Sequence, residues 1–247
     1  MALQSTYSEQ WFGKRAQKSL ISARETVPEV LRLLPHVSSV VDVGCGTGEW
    51  LAEFRASGVG DIRGYDGGGP ALDQLRIPRD CFERVDLTAP RPVARRYDLA
   101  VSLEVAEHLP AKTGVRFARY LTELSDTILF SAAIPGQGGR NHVNERPASY
   151  WKSVFADLGY DVSFVLRHKL WYNENVANHY RQNMMLVLKQ GTMPEIRRAA
   201  EGELIDIVHP EVLRRKEQRR RKSRAASIAA GTLLGVLTTL LLARVLL

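Results

Sequence analysis

The stretch SVVDVGCGTGEW, residues 39–50, constrains the fold of this chain more than any other part of the sequence. A strand-like apolar run leads into three glycines at alternate positions, Gly44, Gly46 and Gly48, and a helical pattern follows over residues 48–58. Glycine permits positive φ angles and close approach of a ligand to the backbone, and the NH groups of a helix N-terminus face the same point. The stretch therefore predicts a strand–loop–helix unit that binds a ligand at the carboxyl end of its strand.

Strand and helix patterns alternate along the chain as far as residue 190. The other predicted strands are residues 61–66, 81–87, 97–104, 126–133, 160–166 and 184–190, and the other predicted helices are residues 112–125 and 147–159. This alternation predicts an α/β fold, with a Rossmann-like, mostly parallel sheet and helices on both of its faces. A helical pattern over residues 7–34, stopped by Pro35, precedes the sheet.

The net charge of +7 comes from one short run near the C-terminus. Residues 214–224 hold eight Lys or Arg residues and one Glu, which leaves 26 basic and 26 acidic residues of the 34 and 27 in the whole sequence. The neutral body argues against nucleic acid as a partner. Only two cysteines occur, Cys45 and Cys81, which is too few for a disulfide framework and is typical of a reducing compartment.

Residues 225–243 follow the basic run and carry no charge over nineteen positions. As a helix they would span roughly 28 Å, close to the hydrocarbon thickness of a bilayer. We expect a single-pass transmembrane helix here, with the preceding domain in the cytoplasm and the basic run against the membrane. A buried core helix is the alternative. The expected order is an N-terminal helical segment (1–35), an α/β domain (36–190), a linking helical segment (191–213), a basic juxtamembrane run (214–224) and a membrane anchor (225–247).

Acidic residues mark the ends of the first three predicted strands. Asp42 lies two residues before the first glycine, Asp66 ends the second strand, and Asp86 ends the third. In a nucleotide-binding α/β fold, an acid after the second strand binds ribose hydroxyls. A carboxylate at Asp86 could accept a hydrogen bond from an adenine amino group.

Four motifs together resemble those of the class I S-adenosylmethionine-dependent methyltransferases. They are VDVGCGTG at 41–48, Asp66, VDL at 85–87 and YDLAVSLEVAEHLP at 97–110, and the resemblance covers about residues 38–190. It implies a seven-stranded sheet with an antiparallel last strand, methyltransferase activity and S-adenosyl-L-methionine as cofactor. The cofactor-binding residues expected from the glycine loop, the acids and the resemblance are Asp42, Gly44, Gly46, Gly48, Asp66, Asp86, Leu87 and Glu104.

The resemblance also assigns parts of the cofactor to particular residues. It implies that the glycines lie under the methionine part, that Asp66 holds the ribose hydroxyls, and that Asp86 and Leu87 lie beside the adenine. One departure is visible, because DGGGP at 66–70 lacks the apolar residue that such enzymes usually carry after the ribose acid. We therefore expect the apolar wall of the adenine site at Leu87.

The stretch LEVAEHLP, residues 103–110, places Glu104, Glu107 and His108 at the end of the fourth strand. Residues at i, i+3 and i+4 share one face of a helical turn. Two carboxylates and an imidazole suit Mg²⁺, Mn²⁺ or Zn²⁺, and a cation would relieve the repulsion between the carboxylates. The pattern looks like that of the small-RNA 2′-O-methyltransferases and some quinone-biosynthesis O-methyltransferases, where it holds a divalent metal with a further histidine.

His142 is the candidate for that further histidine, because it lies in the loop after the fifth strand. The predicted metal ligands are therefore Glu104, Glu107, His108 and His142. Two alternatives stay open: His108 or His142 acts as a general base without metal, or the cluster only caps a helix. The predicted catalytic residues are His142, His108 and Glu104.

Two further segments lie where substrate-facing insertions occur in this fold. The first is GQGGRNHVNERPASYW at 136–151, and the second is WYNENVANHYRQN at 171–183. Trp171, Tyr172 and Tyr180 could stack on a sugar or another ring, or could simply pack under a lid. Trp151 and Phe155 are one helical turn apart and are expected in the core.

These features predict a membrane-anchored methyltransferase that methylates a hydroxyl on a small molecule, a glycan or a lipid-linked acceptor. Catalysis requires proximity and deprotonation of the acceptor. One alternative is a metal-dependent RNA 2′-O-methyltransferase, which the neutral body disfavours. The other is a non-enzymatic cofactor-binding scaffold on a membrane, which would have no need for the Glu–His cluster. The sequence leaves the acceptor and the oligomeric state open.

Overall fold

The computed structural model describes residues 9–68, 72–89, 92–199, 204–214, 216–218 and 220–224. The strands are β1 Ser39–Val43, β2 Asp61–Asp66, β3 Phe82–Arg84, β4 Leu99–Leu103, β5 Thr127–Ser131, β6 Tyr160–Ser163 and β7 Met185–Lys189. The helices are α1 Glu9–Leu33, α2 Glu49–Ala56, α3 Ala111–Leu124, α4 Ala148–Asp157, α5 Val165–Leu170, α6 Asn178–Asn183 and α7 Pro194–Ala199. The chain forms two compact units, Met1–Ile207 and Val208–Leu247, and all of these elements belong to the first.

The seven strands form one sheet in the order β3-β2-β1-β4-β5-β7-β6. Neighbouring strands from β3 to β5 run parallel, whereas β7 is antiparallel to both β5 and β6. The Rossmann-like α/β architecture and the antiparallel last strand predicted from the sequence are confirmed. The order reverses between β1 and β4, and ligands of open parallel sheets bind at the carboxyl ends of the strands beside such a reversal.

Helices cover both faces of the sheet and bury a separate apolar layer on each. Residues of α1 and α2 such as Val27, Val30, Leu51 and Phe54 pack on one face. Residues of α3 and α4, including Phe117, Leu121, Trp151 and Phe155, pack on the other. Strands β4 and β5 are buried along their whole length, which is why their sequences are mostly apolar rather than alternating. The predicted core positions of Trp151 and Phe155 are confirmed.

Two predicted elements differ from the structure near the C-terminal end of the sheet. The strand expected over residues 160–166 ends at Ser163, and α5 begins at Val165. The Ser163 hydroxyl accepts a hydrogen bond from Val165 N at 3.2 Å, a local contact that competes with continuation of the strand. In the predicted linking helical segment, α7 is helical, but the described residues 204–209 are not.

The structure overturns the predicted transmembrane helix and the localisation that depended on it. Within the described ranges, no helix has both the length and the apolar character that a membrane crossing requires. Helix α1 has 25 residues but includes charged residues such as Lys18, Arg24 and Glu25, and α3 has only 14 residues, fewer than the roughly 20 that a bilayer needs. Residues 225–247, to which the anchor was assigned, lie outside the described residues.

Candidate active site

The loop between β1 and α2, residues 44–48, is held in conformations that favour glycine. Gly44 and Gly46 have φ angles of 92° and 57°. A Cβ atom on Gly44 would lie 2.3 Å from Val105 Cγ2, so a side chain there would collide with the segment after β4. A Cβ on Gly46 would have only Glu49 Oε2, at 3.9 Å, within 4 Å of it among the described residues. The loop is thus tightly packed at Gly44 and open at Gly46, where a ligand can approach the backbone.

Carboxylates surround this loop. Asp66, at the end of β2, accepts hydrogen bonds from Gly46 N and Gly68 N, both at 2.9 Å. Asp42 is only 2% exposed, and its burial raises its pKa well above the usual range, with further contributions from the negative charges of Asp66 and Glu49. Glu49 is also buried and is not among the residues that the sequence predicted. This concentration of acids favours a ligand that carries positive charge.

Asp86 and Leu87 follow the carboxyl end of β3. One oxygen of the exposed Asp86 accepts hydrogen bonds from Thr88 N at 2.8 Å and from the Thr88 hydroxyl at 2.7 Å, and these two bonds lower the pKa of Asp86. Leu87 lies beside Gly67, since a Cβ on Gly67 would be 3.8 Å from Leu87 Cγ. The structure therefore places Leu87 next to Gly67, the residue after Asp66.

Glu104 follows β4 and has a φ angle of 59°, which is uncommon for a residue other than glycine. Its backbone N donates to the backbone oxygen of Ser131, at the end of β5, at 3.0 Å. Its buried carboxylate accepts three hydrogen bonds, from the Ser131 hydroxyl at 2.9 Å, Gln137 Nε2 at 2.7 Å and Asn183 Nδ2 at 3.0 Å. A positive φ at a residue other than glycine persists only where the surroundings enforce it. At Glu104 the backbone hydrogen bond and the three side-chain hydrogen bonds do so.

A second cluster contains Glu107, His108 and His142. One ligand atom from each residue lies within 4.8 Å of the others. His142 Nε2 is 3.9 Å from Glu107 Oε1, and the two imidazole rings meet edge to face at 4.8 Å between centroids. Glu107 is fully buried, so its charge is shielded from solvent by protein. The structure brings together three of the four predicted metal ligands.

The fourth predicted ligand, Glu104, is not in this group. Residues at i, i+3 and i+4 share a face only on a continuous helix, and the short 3₁₀ helix here covers only Ala106–His108. Glu104 lies before it, and its carboxylate is held by Ser131, Gln137 and Asn183. A separate polar network and a three-residue cluster therefore replace the single four-residue site expected from the sequence.

The segment after β5 supplies residues that the sequence analysis did not identify. His142 Nδ1 is 2.9 Å from Glu145 Oε1, and Gln137 Oε1 accepts a hydrogen bond from Asn183 Nδ2 at 2.8 Å. The spacing of His142 and Glu145, three residues apart in NHVNE, is the one sequence signal that could have indicated Glu145. Gln137 and Asn183 carry no such signal, because 46 residues separate them.

The three aromatic residues proposed to stack on an acceptor occupy different environments. Tyr180 is 5% exposed and packs edge to face on Trp50 at 5.2 Å, and its hydroxyl is 3.1 Å from Ser19 Oγ. These contacts make Tyr180 part of the core under α1. Tyr172 is 88% exposed, and Trp171 is half-buried.

Comparisons with known proteins agree with this geometry. A family model described as a methyltransferase domain matches residues 13–128, which include the glycine loop, the three strand-end acids and the Glu–His segment. Residues 13–128 thus belong to the methyltransferase domain family. No curated protein matches the sequence of this chain significantly.

Solved structures share the fold of this methyltransferase at low identity. The sugar N-methyltransferase KedS8 from Streptoalloteichus is 15% identical, with a TM-score of 0.55 over 76% of this chain and 98% of that one. Magnesium protoporphyrin IX methyltransferase from Synechocystis, with S-adenosylmethionine bound, is 15% identical, with a TM-score of 0.52 over 75% and 87% of the two chains. The amino pentose methyltransferase CalS10 from Micromonospora echinaspora is 11% identical, with a TM-score of 0.52 over 76% and 99%.

The residues of this methyltransferase fit S-adenosylmethionine. The open backbone at Gly46 gives room for a ligand, and the acids Asp42, Glu49 and Asp66 around it suit a molecule that carries a sulfonium and an ammonium group. Asp66 ends β2 beside the glycine loop, and its carboxylate can accept hydrogen bonds from ligand hydroxyls. The enzyme is thus an S-adenosylmethionine-dependent methyltransferase. The roles of individual residues remain predictions.

Proposed function

We propose that this methyltransferase methylates a hydroxyl oxygen of a small molecule or sugar, and that Glu107, His108 and His142 hold a divalent metal that activates this hydroxyl. The observation that carries the proposal is the closeness of one carboxylate and two imidazoles, with ligand atoms within 4.8 Å of one another. Two ligands of one ion, each at about 2.1 Å, are at most about 4.2 Å apart. A small side-chain adjustment would therefore complete the site.

The donor set bears on the identity of the metal. Imidazole suits Zn²⁺ and other transition metals, whereas Mg²⁺ prefers oxygen ligands and keeps several waters. Two imidazoles and one carboxylate therefore favour Mn²⁺ or Zn²⁺ over Mg²⁺. Because Glu107 is fully buried, a cation beside it would offset a negative charge that water does not reach.

The cluster favours an oxygen acceptor over a nitrogen acceptor. A neutral amine already presents a free lone pair, whereas an alcohol keeps its proton at neutral pH and must lose it to become a good nucleophile. A bound metal lowers the pKa of an oxygen ligand, and His142 or His108 could take the proton if no metal is bound. An N-methyltransferase can also use a base to remove a proton from its amine, but it does not need a metal that lowers the pKa of a hydroxyl.

The cofactor is assigned to the ends of β1, β2 and β3. In this proposal Asp66 binds the ribose hydroxyls, Asp86 and Leu87 border the adenine, and the loop 44–48 with Asp42 lies against the methionine part. S-adenosylmethionine supplies the methyl group when bound. Glu104 is held rigidly by Ser131, Gln137 and Asn183 at the end of β4, next to β1 in the sheet, where it can help to position the donor and the acceptor.

A small polar acceptor is supported by two of the structural neighbours, whose names describe a sugar N-methyltransferase and an amino pentose methyltransferase. The RNA alternative is disfavoured by charge, since the chain without residues 214–224 is neutral and long RNA ligands require many cationic contacts. We therefore place sugars and hydroxylated small molecules before RNA.

The test is a methyl-transfer assay that follows S-adenosylhomocysteine release with matched acceptors. The panel contains nucleotide-linked hexoses, the corresponding amino sugars, catechol and a short RNA duplex. We expect transfer to hydroxyl acceptors, loss of activity in EDTA and recovery with Mn²⁺ or Zn²⁺, while cofactor affinity measured by calorimetry stays constant. Full activity of metal-free protein would overturn the proposed role of a metal and leave a histidine as the general base. Methyl transfer to amines alone would overturn the proposal of an oxygen acceptor.

A further inference from the structure

In the segment between β5 and α4, several hydrogen bonds converge on the carboxylate of Glu145. Glu145 Oε1 lies 2.9 Å from His142 Nδ1 and accepts a hydrogen bond from Gly138 N at 2.8 Å. Its other oxygen, Oε2, accepts from Gly136 N at 2.7 Å. Three groups that can donate therefore converge on one carboxylate, and one of them is the imidazole of the Glu–His cluster.

We propose that Glu145 is a positioning residue that keeps the proton of neutral His142 on Nδ1. The unprotonated Nε2 then faces the space that His142 shares with Glu107 and His108. The inference deepens the proposed function, since it specifies how His142 would serve that site. It holds whether Nε2 binds a metal or takes a proton from the acceptor. Neutral histidine in water prefers its proton on Nε2, which would block both uses.

The hydrogen-bond chemistry of Glu145 leads to this tautomer. An ionised carboxylate only accepts hydrogen bonds, so a 2.9 Å contact with Nδ1 requires the proton on Nδ1. Both oxygens of Glu145 also accept backbone NH groups, from Gly138 N at 2.8 Å and Gly136 N at 2.7 Å. Glu145 therefore acts as an acceptor at both oxygens, and His142 Nδ1 is the donor in the contact between the two side chains.

The position of His142 Nε2 agrees with this assignment. The nearest oxygen of Glu107 is 3.9 Å away, too far for a hydrogen bond from an Nε2–H group but suitable for two atoms that share an ion. Histidines that bind metals usually donate their other ring NH to a carboxylate or carbonyl, which fixes the ring orientation. Glu145 occupies the place of that partner.

The surrounding backbone holds the imidazole in the same orientation. A Cβ on Gly139 would lie 2.1 Å from His142 Nε2, so the ring packs directly against the backbone at this position. Val143 N and Asn144 N both donate to the backbone oxygen of Glu107, at 2.9 and 3.0 Å. These contacts fix the position of His142 beside Glu107, and the contact with Glu145 determines which ring nitrogen carries the proton.

The direct test is nuclear magnetic resonance of full-length protein with ¹⁵N-labelled histidine, in which replacement of His142 by Gln assigns its ring signals. We expect protonated Nδ1 and unprotonated Nε2 in the wild type near neutral pH. In Glu145→Ala the proton should move to Nε2 or exchange between both nitrogens. In Glu145→Gln, which keeps a side-chain oxygen as acceptor, the Nδ1–H form should be partly retained. A wild-type proton on Nε2, or an unchanged tautomer in Glu145→Ala, would overturn the proposal.

A second measurement uses Co²⁺ as a spectroscopic probe of the cluster. Loss of the carboxylate partner of a metal-bound histidine typically weakens metal affinity about 10- to 100-fold, so we expect a loss of this size in Glu145→Ala and a smaller one in Glu145→Gln. The exposed Glu174→Gln serves as the matched control and should behave as wild type. Cofactor affinity checks that each variant is folded. Failure of Co²⁺ to bind the wild type would refute the proposed metal site. The NMR measurement of the His142 tautomer would still test the role of Glu145 separately. If Co²⁺ binds the wild type and Glu145→Ala equally well, Glu145 does not position a metal ligand.

Discussion

The two halves of the candidate active site are built in different ways. At the β1–β2 half, Asp66 accepts hydrogen bonds from backbone groups 2 and 20 residues away along the chain. At the β4–β5 half, Glu104 accepts hydrogen bonds from side chains that are 27, 33 and 79 residues away. The first half is therefore a local product of one strand–loop–helix unit and the next strand. The second half exists only after β5, the segment that follows it and α6 have come together.

This difference distinguishes cofactor binding, which many methyltransferases share, from acceptor binding, which can vary among them. A backbone loop with a fixed acid can bind the same cofactor regardless of the loops elsewhere in the fold. A side-chain network from distant segments can change with any one of them, and such loops typically carry specificity. We therefore expect variants in the two halves to affect different steps.

The largest effect is expected for Glu107→Gln, which removes the carboxylate of the Glu–His cluster while keeping the shape of the side chain. If the cluster activates the acceptor, methyl transfer should fall by about 100-fold or more, the range for loss of acid–base assistance. Cofactor affinity should stay within about twofold of the wild type, because the β1–β2 half is untouched. Titration calorimetry and an initial-rate assay measure the two quantities, and wild-type activity in Glu107→Gln would remove this residue from the mechanism.

A smaller and opposite pattern is expected for Asp66→Ala. Loss of charge-assisted hydrogen bonds to ribose should weaken cofactor binding by about 2 kcal/mol, or about 30-fold. Affinity for Mn²⁺ or Co²⁺ should not change, and the turnover rate at saturating cofactor should change far less than the affinity. Unchanged cofactor affinity in a folded variant would exclude Asp66 from the site. Equal effects of both variants on both ligands would contradict the separation of the two halves.

The same contrast explains how far sequence alone could predict the site. The glycine loop, Asp42, Asp66 and the succession of strands along the chain depend on short-range patterns, namely strand periodicity, glycine spacing and an acid at a strand end. The structure has these features where the sequence predicted them. Glu107, His108 and His142 were also brought together, because a strand end and the loop of the neighbouring strand meet at one edge of the sheet.

The rest could not be predicted, because it depends on conformations and contacts that leave no local pattern. Glu104 lies outside the short 3₁₀ helix and has a positive φ, and distant side chains hold its carboxylate, whereas helical spacing had placed it with Glu107 and His108. Asn183 lies in the short helix α6 and meets Glu104 only because β7 inserts beside β5. The transmembrane prediction relied on hydropathy over a segment outside the described residues, and no described helix supports it.

The smallest expected effect concerns Asp42, a buried acid in the β1–β2 half that reduces the stability of the folded protein. Burial, followed by the charges of Asp66 and Glu49, raises the pKa of Asp42 above its ordinary value of 3.8 in the folded protein. Above pH 3.8 the unfolded chain releases this proton before the folded chain does. The contribution of Asp42 to stability is therefore greatest below pH 3.8, and it decreases as pH rises from 3.8 towards the raised folded pKa.

Asp42→Asn removes this titration and keeps the size of the side chain. The variant should unfold at a higher temperature than the wild type at pH 7, by about 2–4 °C for each kcal/mol gained, and the difference should shrink as the pH is lowered towards 4. Asp157→Asn, an exposed acid on α4, is the matched control and should show no such trend. Calorimetric scans of the three proteins between pH 4 and 8 measure it. The variant should also bind the cationic cofactor less tightly, because Asn cannot become negatively charged when a cation binds near the glycine loop. A pH-independent difference, or a gain in stability without loss of cofactor affinity, would show that Asp42 is not retained for its charge.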